Sequence, residues 1–234
     1  MSWKEIWRRK AQPGAIAAGL LELIALDGFD TGLGRIEPRA WTVMVMGAAA
    51  RLHLKLHERV CEIGCGAGAF LVPLYQAGFS HLWGLDYSPA HVTHCRRAIP
   101  GGNFVAAEAA HVPFSAGFFD VEICNSVFQY FTTLEYADRV VQEIARTTRD
   151  NGRTLILDVN DADKRDEFEA RRHAVLSPGE YDRLYQNASH LFYEREWWYS
   201  NADRWGMSVE ISDQAVEGYG NAEYRYNVLL CKRS

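Results

Sequence analysis

The sequence predicts an α/β protein built on a mostly parallel sheet with helices on both faces. Three observations carry this reading. Short apolar runs alternate with helix-length amphipathic stretches from Val60 to Val159, the rhythm of repeated strand–helix–strand units. A glycine-rich turn, Gly64-Cys65-Gly66-Ala67-Gly68, follows the first run. A carboxylate, Asp86, closes the second run, about 20 residues further on, where such sheets place an acid facing a ribose.

The 234 residues, 48% of them hydrophobic, suit a single sizeable domain. The formal net charge of -5 provides no long-range attraction for nucleic acid or an anionic membrane. The five cysteines are odd in number and three lie in apolar runs. They read as free thiols of a reducing, cytoplasmic protein, with no C-x-x-C pair for zinc or redox chemistry. Arg8, Arg9 and Lys10 before the apolar run Ala15 to Leu26 imitate a secretory signal. Glu22 interrupts that run, however, and Ile16, Leu20, Leu23 and Ile24 fall at helical spacing. An amphipathic helix, too short to span a bilayer, is the expectation.

Residues 1–58 read as a helical lead-in: Trp3 to Lys10, Ile16 to Leu26, then a helix opened by Pro38 and running through Trp41, Val45 and Ala49. Proline suits a first helical turn. Residues 59–159 form the repeating core. Val60 to Ile63 is the first strand, followed by a helix through Phe70 and Leu74 that ends at Gly78. His81 to Leu85 is the second strand, and Ser88-Pro89 caps and opens the next helix. Phe104 to Ala106 and Phe119 to Cys124 are the third and fourth strands. Thr132 with Glu135 reads as a capping box for a helix through Val141 and Ile144. Asn151-Gly152 marks a turn before the fifth strand, Thr154 to Val159. Residues 161–191 break the rhythm and read as a lid-like helical insertion, with a capping box at Ser177 and Glu180. Residues 192–234 supply a helix, Tyr193 to Trp205, and two closing strands, Val209 to Ile211 and Tyr224 to Leu230.

The glycine turn fits two cofactor classes. Gly64-x-Gly66-x-x-Ala69 matches a relaxed dinucleotide fingerprint. Glu62-x-Gly64-x-Gly66-x-Gly68 resembles the first motif of class I S-adenosylmethionine-dependent methyltransferases. Asp86, with Tyr87 beside it, suits either class, because a carboxylate there accepts both ribose hydroxyls. The segments after the third and fourth strands separate them. Ala107-Glu108-Ala109 before Val112-Pro113-Phe114, and Asn125-Ser126-Val127-Phe128-Gln129-Tyr130, resemble the methyltransferase pattern. The resemblance covers Val60 to Val159. It implies a Rossmann-like fold whose antiparallel last strand is Tyr224 to Leu230, and S-adenosyl-L-methionine as cofactor. It further implies that Glu108 and the Ala109 amide meet the adenine, while Asn125 and Ser126 face the methionine portion. An NAD(P)-dependent oxidoreductase would need a second nucleotide half or a substrate domain, and neither is found. A domain that binds S-adenosylmethionine without catalysis is the non-enzyme alternative.

Methyl transfer from a sulfonium needs positioning and exclusion of water more than a fixed base, so the acceptor side is written more faintly. The expected acceptor is a small molecule, methylated on O or N. Tyr130 and His190 are the catalytic candidates. Gln129, Tyr130, Tyr193 and Arg225 are the acceptor-binding ones, Arg225 as a partner for an acidic group. Trp3, Trp7 and Trp41 are either core residues or a lid whose faces attract a cation. Asn125 and Phe128 echo the adenine N6-methyltransferase motif, but Ser126 and Val127 replace both prolines, against DNA methylation. His91, His94 and Cys95 read as an exposed helix face and not as metal ligands. Asp158 to Glu169 fails as a calcium loop, because Asp163 stands at the glycine position. Asn187-Ala188-Ser189 is a chance sequon in a cytoplasmic chain.

Overall fold

A computed structural model describes residues 2–10, 19–175, 179 and 189–234. The start of the Ile16 to Leu26 helix, the Ser177 and Glu180 cap residues and the sequon's Asn187 lie outside them.

Seven strands form one sheet in the order β3-β2-β1-β4-β5-β7-β6. They are β1 Val60–Ile63, β2 Leu82–Asp86, β3 Asn103–Ala106, β4 Phe119–Asn125, β5 Thr148–Asn160, β6 Met207–Asp213 and β7 Arg225–Lys232. Strands β1 to β5 pair parallel, and β7 runs antiparallel between β5 and β6. The helices are α1 Trp3–Lys10, α2 Leu20–Leu26, α3 Pro38–Arg51, α4 Leu71–Gln76, α5 Pro89–Ala98, α6 Leu134–Thr147, α7 Arg165–Val175 and α8 Arg195–Arg204. Among the described residues no helix is long and apolar enough to cross a membrane.

Alternation along the strands builds two cores. Val60, Val121, Ile123 and Leu155 face α2 to α5, against Ile24, Val45, Leu74 and Val92. Cys61, Ile63, Cys124 and Ile156 face the other way, onto Val141 and Ile144 of α6 and Trp198 of α8. A side-chain period of two in a sheet covered on both sides produces this division. β1 and β4 flank the point where the connections change face, so the carboxyl ends of β1, β2 and β4 open on one crevice.

Local chemistry places the elements. Pro38 opens α3 at its first position, and Ser88 Oγ caps α5 by accepting from His91 N. Pro73 lies in the first turn of α4, where its missing N–H costs no helical bond. Three expectations change. The cap of α6 is Thr133, whose hydroxyl accepts from Tyr136 N at 3.2 Å, and not Thr132. The Asn151-Gly152 turn is not a strand boundary but a bulge inside β5. Phe119 pairs with Thr148 and Val121 with Arg153, and Asn151 takes φ +60° to make the excursion. His91, His94 and Cys95 form the buried face of α5 and not an exposed one. The sheet and the lead-in cover them, which the helical period alone does not reveal.

Candidate functional site

The glycine turn leaves β1 with Glu62 behind it. Gly64 and Gly66 have φ of +74° and +51°. A Cβ on Gly64 would lie 2.5 Å from Val127 Cγ2, and one on Gly66 would lie 2.2 Å from Asp27 Oδ1. Both positions therefore need glycine for space as well as for conformation. Asp27, in the turn after α2, is a site residue that the sequence reading missed. Its carboxylate accepts from Ala67 N at 2.6 Å and from Ala69 N at 3.1 Å, satisfying amides that the following helix leaves open. No local pattern marks it, because it reaches the turn from a separate helix.

Asp86 ties the second strand to the same turn. Its carboxylate accepts from Gly66 N at 3.1 Å and from Ser88 N at 2.8 Å. Glu62 is buried, and its Oε2 has no hydrogen-bond donor among the described residues. Burial, then the charges of Asp27 and Asp86, push the Glu62 carboxyl well above the usual range. Burial likewise raises Asp27 to about 6, against the pull of His91 and the two amides. His91 Nδ1 lies 3.7 Å from Asp86 Oδ1. Burial disfavours its cation, but Asp86 and Asp27 outweigh burial and raise its pKa.

These groups line a cavity of about 380 Å³, within the size range of small-ligand sites. Helix α1 roofs it. Lys4 Nζ reaches Glu108 Oε1 at 2.5 Å, and Tyr87 Oη donates to Lys4 O at 3.0 Å. Trp3 Nε1 donates to Ser189 O at 2.9 Å. The Trp3 ring packs 4.8 Å from Tyr130, and Trp7 packs 5.2 Å from the same tyrosine. Below them Trp41 Nε1 donates to Ala69 O at 2.8 Å.

Of the residues that the sequence singled out, Glu62, Gly64, Gly66, Asp86, Tyr87, Glu108, Ala109, Asn125 and Tyr130 line the cavity. Gly68, Gln129, His190, Tyr193 and Arg225 do not. Gly68 admits α5 instead: a Cβ there would sit 2.9 Å from Cys95 Sγ. Tyr193 is packed among Phe128, Trp197 and Trp198, and its hydroxyl donates to Phe128 O. Its aromatic neighbours draw it into the core and away from the acceptor side. His190 stands behind the wall, stacked on Trp3 at 4.5 Å. Burial, Arg172 and Arg225 hold it neutral. Glu108 reaches the cavity with both oxygens engaged, one by Lys4 and the other by the Tyr136 hydroxyl at 2.9 Å. Burial opposes its ionisation, but these two partners lower its pKa.

A cationic nucleoside fits this wall. Three mutually repelling carboxylates, Asp27, Glu62 and Asp86, face one space with one unpartnered oxygen among them. The Trp7 indole N–H has no acceptor among the described residues. S-Adenosylmethionine offers a sulfonium and an ammonium to the first feature and a carboxylate to the second.

The strand order and the glycine-turn crevice are those of the Rossmann-like methyltransferase fold. The solved magnesium protoporphyrin IX methyltransferase of Synechocystis superposes with a TM-score of 0.61 at 16% identity, covering 99% of this chain and 94% of that one. Residues 61–156 match the family model of a methyltransferase domain. That stretch carries a methyltransferase domain on the class I, S-adenosylmethionine-dependent fold, and S-adenosylmethionine is the cofactor of that class. The chain is 26% identical over 189 residues to the sterol 4-C-methyltransferase of Caenorhabditis elegans, spanning 76% of this chain and 53% of that protein. It is 29% identical over 140 residues to the arsenite methyltransferase of Halobacterium salinarum, spanning 57% of this chain and 32% of that protein. The chain thus spans about half or less of the length of these relatives.

Proposed function

We propose that this chain transfers a methyl group from S-adenosylmethionine to an O or N atom of a small-molecule acceptor. The observation that carries the reading is the roofed cavity, in which α1 brings Trp3, Lys4 and Trp7 over the glycine turn. A site closed by a helix of the same chain favours a small acceptor over an RNA or protein surface. The relatives' named acceptors, a sterol and arsenite, are chemically unlike each other and do not choose the atom.

In this reading Asp86 orients the ribose, and Ala109 with Glu108 borders the adenine. Glu62 and Asn125 border the methionine end. S-Adenosylmethionine, when bound, supplies an electrophilic methyl group on a positive sulfur. The chain's own contribution is to fix the acceptor in line and keep water out. Trp3, Trp7 and Tyr130 present aromatic faces on the acceptor side, where a cation is attracted without a hydrogen bond. Tyr130 reaches the acceptor directly. His190 acts behind it, as a neutral ring that positions Trp3 and Tyr130. Ser189 flanks this side, its carbonyl accepting from the Trp3 indole.

Calorimetry with S-adenosylmethionine and S-adenosylhomocysteine tests the cofactor site, and label transfer from S-adenosylmethionine to a metabolite panel tests the activity. Folded protein that binds neither ligand overturns the assignment. Binding without transfer to any small molecule leaves the non-catalytic alternative standing in its place.

A further inference from the structure

Behind the acceptor wall lies a second polar cluster, built around Asp158. β5 bulges there: Ile156 pairs with Val228 but Val159 pairs with Tyr226, and Asp158 takes φ +63°. The amide that the bulge frees donates to Asn227 Oδ1 at 3.0 Å. Ser126, at φ +56°, bounds both the cofactor cavity and this cluster. Two non-glycine residues in the left-handed region, joined by one hydrogen bond, are strained backbone of the kind that collects at functional sites.

The protons of the cluster can be assigned. Ser126 Oγ donates to Asp158 Oδ2 at 2.6 Å, and Tyr219 Oη donates to the same oxygen at 2.9 Å. With those protons committed, Ser126 Oγ accepts from Gln129 Nε2 at 2.6 Å, and Tyr219 Oη accepts from Asn221 Nδ2 at 3.3 Å. Both amides are thereby oriented. Their oxygens, Gln129 Oε1 and Asn221 Oδ1, are left without a donor among the described residues, as is Asp158 Oδ1. On the other side Arg225 Nε and Nη1 have no acceptor among the described residues. Arg225 Nε lies 3.8 Å from Asp158 Oδ1, beyond hydrogen-bond length, with both side chains only 3% exposed. The Phe168 ring lies 4.9 Å from the guanidinium.

Buried polar groups are ordinarily paired, and unpaired ones destabilise a fold. Here the unpaired set has a definite chemistry: three acceptors, one of them a carboxylate, beside a guanidinium with free N–H groups. A protonated amine offers three N–H groups and a carboxylate offers the anion. We infer that this cluster grips the amino-acid end of the acceptor, its carboxylate on Arg225 and its ammonium on Asp158, Gln129 and Asn221. The inference rests on the proposed methyl transfer and names the acceptor class for it. An ammonium held by three acceptors keeps its proton and has no lone pair. The methylated atom is therefore a side-chain O or N that extends past Ser126 and Tyr130 toward the cofactor.

The test uses the whole chain saturated with S-adenosylhomocysteine, titrated calorimetrically with each of the twenty proteinogenic L-amino acids. For any that binds, its decarboxylated amine and its N-acetyl derivative follow. The expected result is that at least one amino acid binds and that either modification weakens it roughly 10- to 100-fold, the size of a charge-assisted hydrogen bond. Arg225→Gln and, separately, Asn221→Leu should weaken the amino acid to a similar degree while S-adenosylhomocysteine affinity stays within twofold, which also reports that each variant is folded. If Arg225→Gln does not fold, Asn221→Leu and the ligand series decide. Binding of no amino acid by the loaded wild type overturns the inference and leaves the cluster to ordered water. So does an amine that binds as well as its parent amino acid. Loss of S-adenosylhomocysteine binding by the wild type is a different failure, that of the methyltransferase reading.

Discussion

Replacing Glu122 by glutamine isolates one buried proton. Glu122 lies on β4 at the centre of the sheet, fully buried, between Cys61 of β1 and Thr154 of β5. The Thr147 hydroxyl is within 2.9 Å of Glu122 Oε1 and within 2.8 Å of Glu143 O. It has one proton for two acceptors, and the conflict vanishes when Glu122 carries a proton and donates to Thr147. Thr148 touches the other carboxyl oxygen and stands 3.2 Å from Thr154 Oγ1. Burial raises the Glu122 pKa from 4.5 to about 8, against the two threonines. A carboxyl whose folded pKa is raised contributes stability that is fully present below the unfolded value of 4.5 and is lost as pH rises to 8. The whole contribution is about 5 kcal/mol, at about 1.4 kcal/mol per pH unit. Glutamine has the same shape, keeps a donor for Thr147 and does not titrate. Urea unfolding of wild type and Glu122→Gln at pH 5, 6, 7 and 8 measures the difference. The variant should approach the wild type at pH 5 and exceed it increasingly toward pH 8. Two stability curves that run parallel over this range would refute the buried-proton argument.

Four further outcomes follow from the site. Asp86→Asn should weaken S-adenosylhomocysteine binding by about 1.5–3 kcal/mol, the worth of hydrogen bonds to a charged group; unchanged affinity by calorimetry removes Asp86 from the ribose. Gly66→Ala should cost about 2–4 kcal/mol of stability, through the clash with Asp27 and the left-handed φ, and a thermal midpoint equal to wild type would contradict that geometry. Trp3→Ala should speed release of S-adenosylhomocysteine about tenfold in stopped flow, since the aromatic contacts it gives up are worth about 0.5–1.5 kcal/mol each. Lys4→Ala, which removes a half-exposed ion pair, should change stability by no more than about 1 kcal/mol. Release from Trp3→Ala at the wild-type rate would mean that α1 is no roof.

The sequence by itself determined the sheet, the turn and the acid at the end of β2. Strands announce themselves as short apolar runs between helix-length stretches, helix openings by Pro38 and Ser88-Pro89, and the glycine turn by residues whose backbone freedom is local. All of these act within a few positions, so a linear reading reaches them. The tertiary structure alone decided what stands opposite. Asp27 caps the turn 40 positions away at Ala67, Lys4 meets Glu108 from the far end of the lead-in, and Asp158 faces Arg225 across the β5 bulge. The same distance explains the misplacements. Tyr193 and the His91 face of α5 look like surface or site chemistry until neighbours from other segments bury them. A side chain's partners come from whichever elements the sheet brings together. The cofactor turn was therefore legible in the chain, while its acidic wall, its roof and the polar cluster behind Ser126 appear only once the chain is folded.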